Sequence, residues 1–179
     1  LDSAYRLHEA AEANQGTGLP GQPARDAHVE EVQRRRNYER EMKPYIVMTD
    51  IDHFKKVNDE RGHQEGDRAL GFVMESMLNL SRANDRSFHL HGEEGEAIIW
   101  APSKEAAMAV AERYRRGIEE TSERALGYKV TASLGVTEWC RDEEFSAAEK
   151  RADQGIYQSK QRGRNKVSFV ERINLEARI

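Results

Sequence analysis

Arg82-Ala-Asn-Asp85-Arg-Ser-Phe-His-Leu-His91-Gly-Glu-Glu-Gly95-Glu-Ala-Ile-Ile-Trp100 is the stretch on which the reading of this chain turns. Ser87 to Leu90 and Glu96 to Trp100 both read as extended, so the glycine-bearing acidic segment between them is predicted to be the turn of a hairpin. A tip holding Glu93 and Glu94 presents two carboxylates outward, hard oxygen ligands suited to a divalent cation. Upstream, Arg82 and Asp85 stand one helical turn apart, and an arginine fork is the usual reader of a guanine edge. Any charged helix can also carry such a pair as an ordinary ion pair. His91 and Gly95 occupy places where such a tip is expected to hold a small residue and an apolar anchor.

Working outward, composition bounds what the hairpin can serve. At 179 residues the chain fits one domain, over 15–171, with an amphipathic lead-in helix over 1–14 and a tail over 172–179. Ala4, Leu7 and Ala11 share one side of that lead-in, and the opening Leu1 suggests a fragment whose sensory or regulatory module lies upstream. Charged residues make up 34% and the net charge is -4, so there is no basic field to hold a nucleic-acid polymer. Any nucleotide bound is therefore small. The single Cys140 excludes an internal disulfide and fits a reducing, cytoplasmic compartment. No apolar run reaches membrane-spanning length and no secretory signal opens the chain.

Along the chain, the Gly/Pro cluster from Gln15 to Pro23 predicts a loop, and Arg25 to Met42 a very polar helix. Tyr45 to Met48 reads as a buried strand delivering Asp50 and Asp52 at its carboxyl end, a common site architecture in open α/β sheets. Leu70, Val73, Met74, Met77 and Leu78 recur at helical spacing from Gly66 to about Leu80. Ser103 is the predicted N-cap of a helix whose buried stripe is Ala107, Val110, Tyr114 and Ile118. A strand over Tyr128 to Val136, a helix from Phe145 to Arg162 closed by Gly163, and a strand over Lys166 to Val170 complete the order. The expectation is an α/β (α+β) fold: a central mixed five-stranded sheet flanked by helices.

Several of these segments carry a family resemblance. Asp50-Ile-Asp-His-Phe-Lys-Lys-Val-Asn58-Asp, then Gly62-His-Gln-Glu-Gly-Asp67, resembles the first half of a GGDEF domain, the diguanylate cyclase family. Thr131 to Val136 resembles its Ser-x-Gly strand, Ala152 to Asn165 its closing helix and turn, and Thr17-Gly-Leu-Pro20 its entry loop, with Asn14 where an Asp is usual. The resemblance runs from about Asn14 to Val170 and implies a nucleotidyl-cyclase-like palm. It implies condensation of two GTP to cyclic di-GMP by a 3′-hydroxyl attack on an α-phosphorus, each half-site coming from one protomer of a homodimer. On that resemblance Asp50, Glu93 and the carbonyl of Ile51 hold Mg²⁺, and Glu93 and Glu94 are the catalytic acids. Asn58 and Asp67 read guanine, while Lys160 and Arg164 hold the terminal phosphates. Arg82 and Asp85 form a product site for cyclic di-GMP, with Arg113 and Arg116 as secondary contacts suggested by charge. Each residue also has an ordinary reading: Asp67 as a helix cap, Asn58 in a turn, Lys160 and Arg164 as helix-end cations.

The signature departs from the family pattern. An ungapped count from Arg82-x-x-Asp85 gives His91-Gly92-Glu93-Glu94-Gly95, with His89 at the preceding arginine position; counting back from Ala97 slides it to Gly92–Glu96. A side chain at the first glycine predicts left-handed strain and a ring standing where the nucleotide approaches, and Gly95 predicts a looser tip. The expected function is accordingly a degenerate domain with weak or no cyclase activity that receives cyclic di-GMP through Arg82 and Asp85. An active atypical cyclase and a GTP-binding or docking domain are the alternatives. His89 and His91, at i,i+2 on a strand, are expected to point the same way and with Glu93 could form a transition-metal site, although two histidines fall short of the usual ligand count. His53 and His63 are expected to hydrogen-bond structurally.

Overall fold

A computed structural model describes residues 17–36 and 41–173. Its elements are α1 (Gln22–Arg35), β1 (Lys43–Ile51), α2 (Phe54–Arg61), α3 (His63–Leu80), β2 (Arg86–His91), β3 (Glu94–Ala101), α4 (Lys104–Leu126), β4 (Ala132–Glu138), α5 (Phe145–Gln161) and β5 (Val167–Phe169). The five strands stand in the order β2-β3-β1-β4-β5, antiparallel except for the parallel pair β4–β5. The expected mixed sheet is therefore present. The expected helix before Asn14 lies outside the described residues, as do Asn14 itself and the last six residues of the tail.

β1 is central and is buried from Pro44 to Ile51, which explains its unbroken apolar run. Alternate residues feed two cores. Tyr45, Val47 and Ile51 pack with α3 and α4, whereas Ile46 and Met48 pack with α1 and α5. The α4 stripe of Ala107, Val110, Tyr114 and Ile118 is buried, and Ser103 caps that helix by accepting from Ala106 N–H at 3.2 Å. One expectation is corrected: the polar helix stops at Arg35, well short of Met42. A short helix, α2, also precedes the one expected from Gly66, and Gly62 at φ +88 separates the two.

α5 lies directly on β4. A Cβ on Gly135 would fall 1.9 Å from the carbonyl oxygen of Ala152, and one on Gly155 would fall 2.6 Å from Gly135 Cα. Two facing glycines thus set how close α5 comes to the sheet, and through α5 they set where Lys160 reaches. Among the described residues no helix is long and apolar enough to cross a membrane.

Candidate active site

The carboxyl end of β1 delivers Asp50 between two neighbours, Glu94 on β3 and Ser133 on β4. Lys160 of α5 brings its Nζ to 2.5 Å from Asp50 Oδ1. Lys160 is therefore the cation that this buried oxygen already meets. Burial pushes the Asp50 carboxyl up, opposed by Lys160 and reinforced by Asp52 and Asp153. Glu93 and Glu94 are also pushed up by burial: Asp50 adds repulsion at both, while His91 opposes the shift at Glu94. The four acids Asp50, Glu93, Glu94 and Asp153 therefore share one field with Lys160. Asp153 escaped the sequence reading, although its place on α5 seven residues before Lys160 puts both on one helix face.

Among the described residues no group of three or more His, Cys, Asp or Glu forms a ready-made metal cage. Of the residues expected to hold a metal, Asp50 and Glu93 are close enough for Asp50 to raise the Glu93 carboxyl further.

At the tip, Gly92 and Glu93 form a two-residue turn and His91 pairs with Glu94. The positive φ of the turn, +56, falls on Gly92, and His91 lies in strand conformation. The predicted strain at His91 is therefore absent. Its imidazole is 73% exposed and stands 3.6 Å from Glu94 Oε2. The predicted slackness at Gly95 is corrected as well. A Cβ there would lie 2.9 Å from Met74 Sδ and 3.0 Å from Met77 Sδ, so two thioethers fill the room an aromatic side chain would need.

His89 and His91 do not share a side. A β-bulge between them turns His89 inward, where Nδ1 meets Thr17 Oγ1 at 3.3 Å and Nε2 meets the Gly92 carbonyl at 2.9 Å. His89 is 6% exposed, which removes the proposed transition-metal pair. His53 and His63 are both exposed, and among the described residues neither ring makes the structural hydrogen bond expected of it.

The remaining residues expected to meet a nucleotide come from two helices and one turn. Asn58 of α2 rests on Gly66 of α3, where an added Cβ would sit 1.8 Å from Asn58 Oδ1. Asp67, next along, is exposed and lies inside α3 rather than at its cap. Arg164 occupies the α5–β5 turn, in which Gly163, Arg164 and Asn165 have φ of +105, +63 and +47. Asp52 anchors this turn. Its Oδ2 accepts from Asn165 N–H at 2.9 Å and Thr131 Oγ1–H at 2.7 Å, and its Oδ1 from Ser133 Oγ–H at 2.6 Å. Of the two acids on Thr49-Asp-Ile-Asp52, one thus serves the site and the other builds it.

Arg82-x-x-Asp85 is a turn rather than a helical pair, because α3 ends at Leu80 and Asp85 N–H donates to the Arg82 carbonyl at 3.0 Å. Asp85 is buried, with Oδ2 accepting from Arg82 N–H at 3.0 Å and Oδ1 from Trp100 N–H at 3.4 Å. Arg82 is exposed. Arg113 is fixed nearby, its Nε and Nη2 donating to the Leu80 carbonyl at 3.1 and 2.7 Å, whereas Arg116 is occupied by Glu120 at 3.0 Å.

Residues 12–166 match the family model described as diguanylate cyclase, GGDEF domain. Diguanylate cyclase A of Treponema denticola is 42% identical over 127 residues, which is 69% of this chain and 34% of the relative. DgcP of Pseudomonas aeruginosa, a diguanylate cyclase, is 33% identical over 86% of this chain and 23% of its own length. The chain thus spans about a third or less of these curated relatives. The crystal structure of the P. aeruginosa diguanylate cyclase SiaD with its activator SiaC superposes with a TM-score of 0.85 at 32% identity, over 94% of this chain and 65% of that one.

Proposed function

The chain belongs to the GGDEF family of diguanylate cyclases, and on that premise we propose that it forms a GTP half-site and, paired with a second copy, joins two GTP into cyclic di-GMP. The observation that carries this reading is the pairing of Asp50 with Lys160 beside Glu94, at the end of the central strand. A His91 without backbone strain and a Gly95 packed by Met74 and Met77 support this reading over a collapsed tip. Similarity to named diguanylate cyclases supports the same choice.

Asn58 and Asp67 read the guanine edge, and Lys160 and Arg164 hold the β- and γ-phosphates. Magnesium, held by Asp50, Glu93 and the Ile51 carbonyl, supplies charge neutralisation on the phosphate oxygens. Attack by the 3′-hydroxyl of the partner's GTP forms the new P–O bond as the bond to pyrophosphate breaks. Glu94, whose carboxyl burial pushes up, is the candidate base for the hydroxyl proton. Lys160 and Arg164 offset the charge that collects on the leaving pyrophosphate.

Incubation with GTP and Mg²⁺ followed by chromatography is the test. Product is expected from the wild type, lost with EDTA and lost in Asp50→Ala. A chain that makes no cyclic product and gains no Mg²⁺-dependent thermal protection from GTP defeats the reading. A receptor role through Arg82 is the second reading, favoured by its exposure above the fixed Arg113 guanidinium. It requires Asp85 to leave two backbone donors, which makes it the less direct of the two. Calorimetry with cyclic di-GMP on wild type and Arg82→Ala decides it: equal or absent binding rejects the receptor. By the same family logic the domain spans 15–171, and an input module upstream is part of the proposal.

A further inference from the structure

The sheet face that bears Asp50 and Glu94 continues inward to a second group of charges. Glu96 lies two residues beyond Glu94 on β3, so it shares that face, and it pairs with Met48 on β1 and Phe88 on β2. It is 0% exposed, and neither carboxylate oxygen accepts a hydrogen bond. The cation facing it is Arg25 of α1, whose Nη1 lies 3.6 Å from Glu96 Oε2. That same Nη1 donates to Glu149 Oε1 of α5 at 2.6 Å, and Nε lies 2.8 Å from Asp26 Oδ1. The guanidinium rests 5.1 Å from the Phe145 ring centroid, and its side chain is 8% exposed. One planar group therefore joins the entry helix α1, the strand that presents Glu94 and the helix that presents Lys160.

Apolar residues in these places would hold the fold at least as well, because a buried polar contact between a guanidinium and a carboxyl recovers little beyond its desolvation. What the pair adds is resistance to displacement. Leucines slide over one another at small cost, whereas a buried carboxyl separated from its cation is strongly disfavoured. We propose that Arg25 and Glu96 are positioning residues that lock α1, β3 and α5 together, so that the spacing between Glu94 and Lys160 depends on where α1 is docked. The consequence for the reaction rests on the cyclase reading above; the mechanical coupling does not. A shift of α1 that pulled Arg25 away would leave the buried Glu96 carboxyl, two residues from Glu94, without its facing guanidinium, and the signature strand would move to relieve it.

The test compares the full chain with Arg25→Met and with Arg25→Met/Glu96→Met, in which the charge is removed from both sides at similar volume. Two readouts are taken: GTP turnover, separated into kcat and KM, and amide hydrogen exchange over residues 88–96. Arg25→Met is expected to lower kcat by about tenfold or more with a smaller change in KM, since misplacement of about 1 Å is that costly. It is also expected to speed exchange in β2–β3 but not in α3–α4. The double variant is expected to recover most of both losses. Wild-type turnover and exchange in Arg25→Met, or a double variant no better than the single one, overturns the proposal. If Arg25→Met does not fold, Arg25→Lys, which keeps the charge and loses the fork, takes its place in the same comparison. Should the wild type make no product, the cyclase reading alone falls, and the exchange contrast still decides the coupling.

Discussion

Replacing Gly95 by phenylalanine, the kind of apolar anchor the tip lacks, is expected to destabilise this protein rather than repair it. A Cβ at Gly95 would already sit 2.9 Å from Met74 Sδ, 3.0 Å from Met74 Cε and 3.0 Å from Met77 Sδ, and the ring would have to pass beyond it. Met74 and Met77 are fully buried and cannot swing into solvent. Overpacking of this kind costs about 1 to 3 kcal/mol. For a chain of this size that is a fall in Tm of roughly 2 to 12 °C. Met77→Ala alone is expected to cost about 2 to 5 kcal/mol through lost burial and a residual cavity. Combined, the two changes fill one another's error, so the double variant should be more stable than the sum predicts, with a coupling on the order of 1 to 3 kcal/mol. Urea unfolding of the four proteins in the cycle measures this directly. Additivity within about 0.5 kcal/mol would show that the thioethers do not occupy the aromatic's place, and the reasoning would be wrong.

Asp52→Ala, which removes an acceptor of three hydrogen bonds, is expected to cost about 3 kcal/mol or more and to weaken GTP protection by freeing the Arg164 turn; thermal shift with and without GTP checks both. Asp85→Ala should cost roughly 1 to 3 kcal/mol because two backbone donors lose their acceptor, whereas Arg82→Ala should stay within about 0.5 kcal/mol, both read from denaturant midpoints. Burial pushes the Glu96 carboxyl up to about 8, against the opposing pull of Arg25 and with Glu149 and Asp26 adding repulsion. The folded chain then keeps a proton that the unfolded chain releases near the ordinary 4.5, so this contribution is full below that value and is lost as pH rises through about 8. Relative to Glu96→Gln, the wild type is expected to lose on the order of 4 kcal/mol between pH 5 and pH 8.5, measured as the difference in urea midpoints.

Where periodicity and end signals agreed, the fold could be read from the residues. The α4 stripe and its Ser103 cap stand as expected, because a 3.6-residue repeat and a hydroxyl at the N-cap are local properties. α2 has no expectation of its own, because Phe54 and Val57 are too few to announce a separate helix. Asp50, Asn58, Lys160 and Arg164 were legible as a set through the family resemblance. What could not be read is compensation across distance. Gly95 looks like a defect until Met74 and Met77, some twenty residues earlier, are seen to lie on it. Glu96 looks like a surface residue until Arg25 is brought to it by α1. The bulge that turns His89 inward has no signal of its own, since strict alternation would have put both histidines on one side.

The turn between α5 and β5 has a thermodynamic consequence. Arg164 and Asn165 both hold backbone angles that residues with side chains avoid, at about 1 kcal/mol or more apiece. Asp52 from one side and Arg115 from the other, donating to Asn165 Oδ1 at 2.7 Å, keep them there. Folding absorbs this energy in advance, so on the cyclase reading the backbone under Arg164 is already set when a triphosphate arrives. Asn165→Gly would remove the acceptor of Arg115 and free this turn, costing stability and, on that reading, grip.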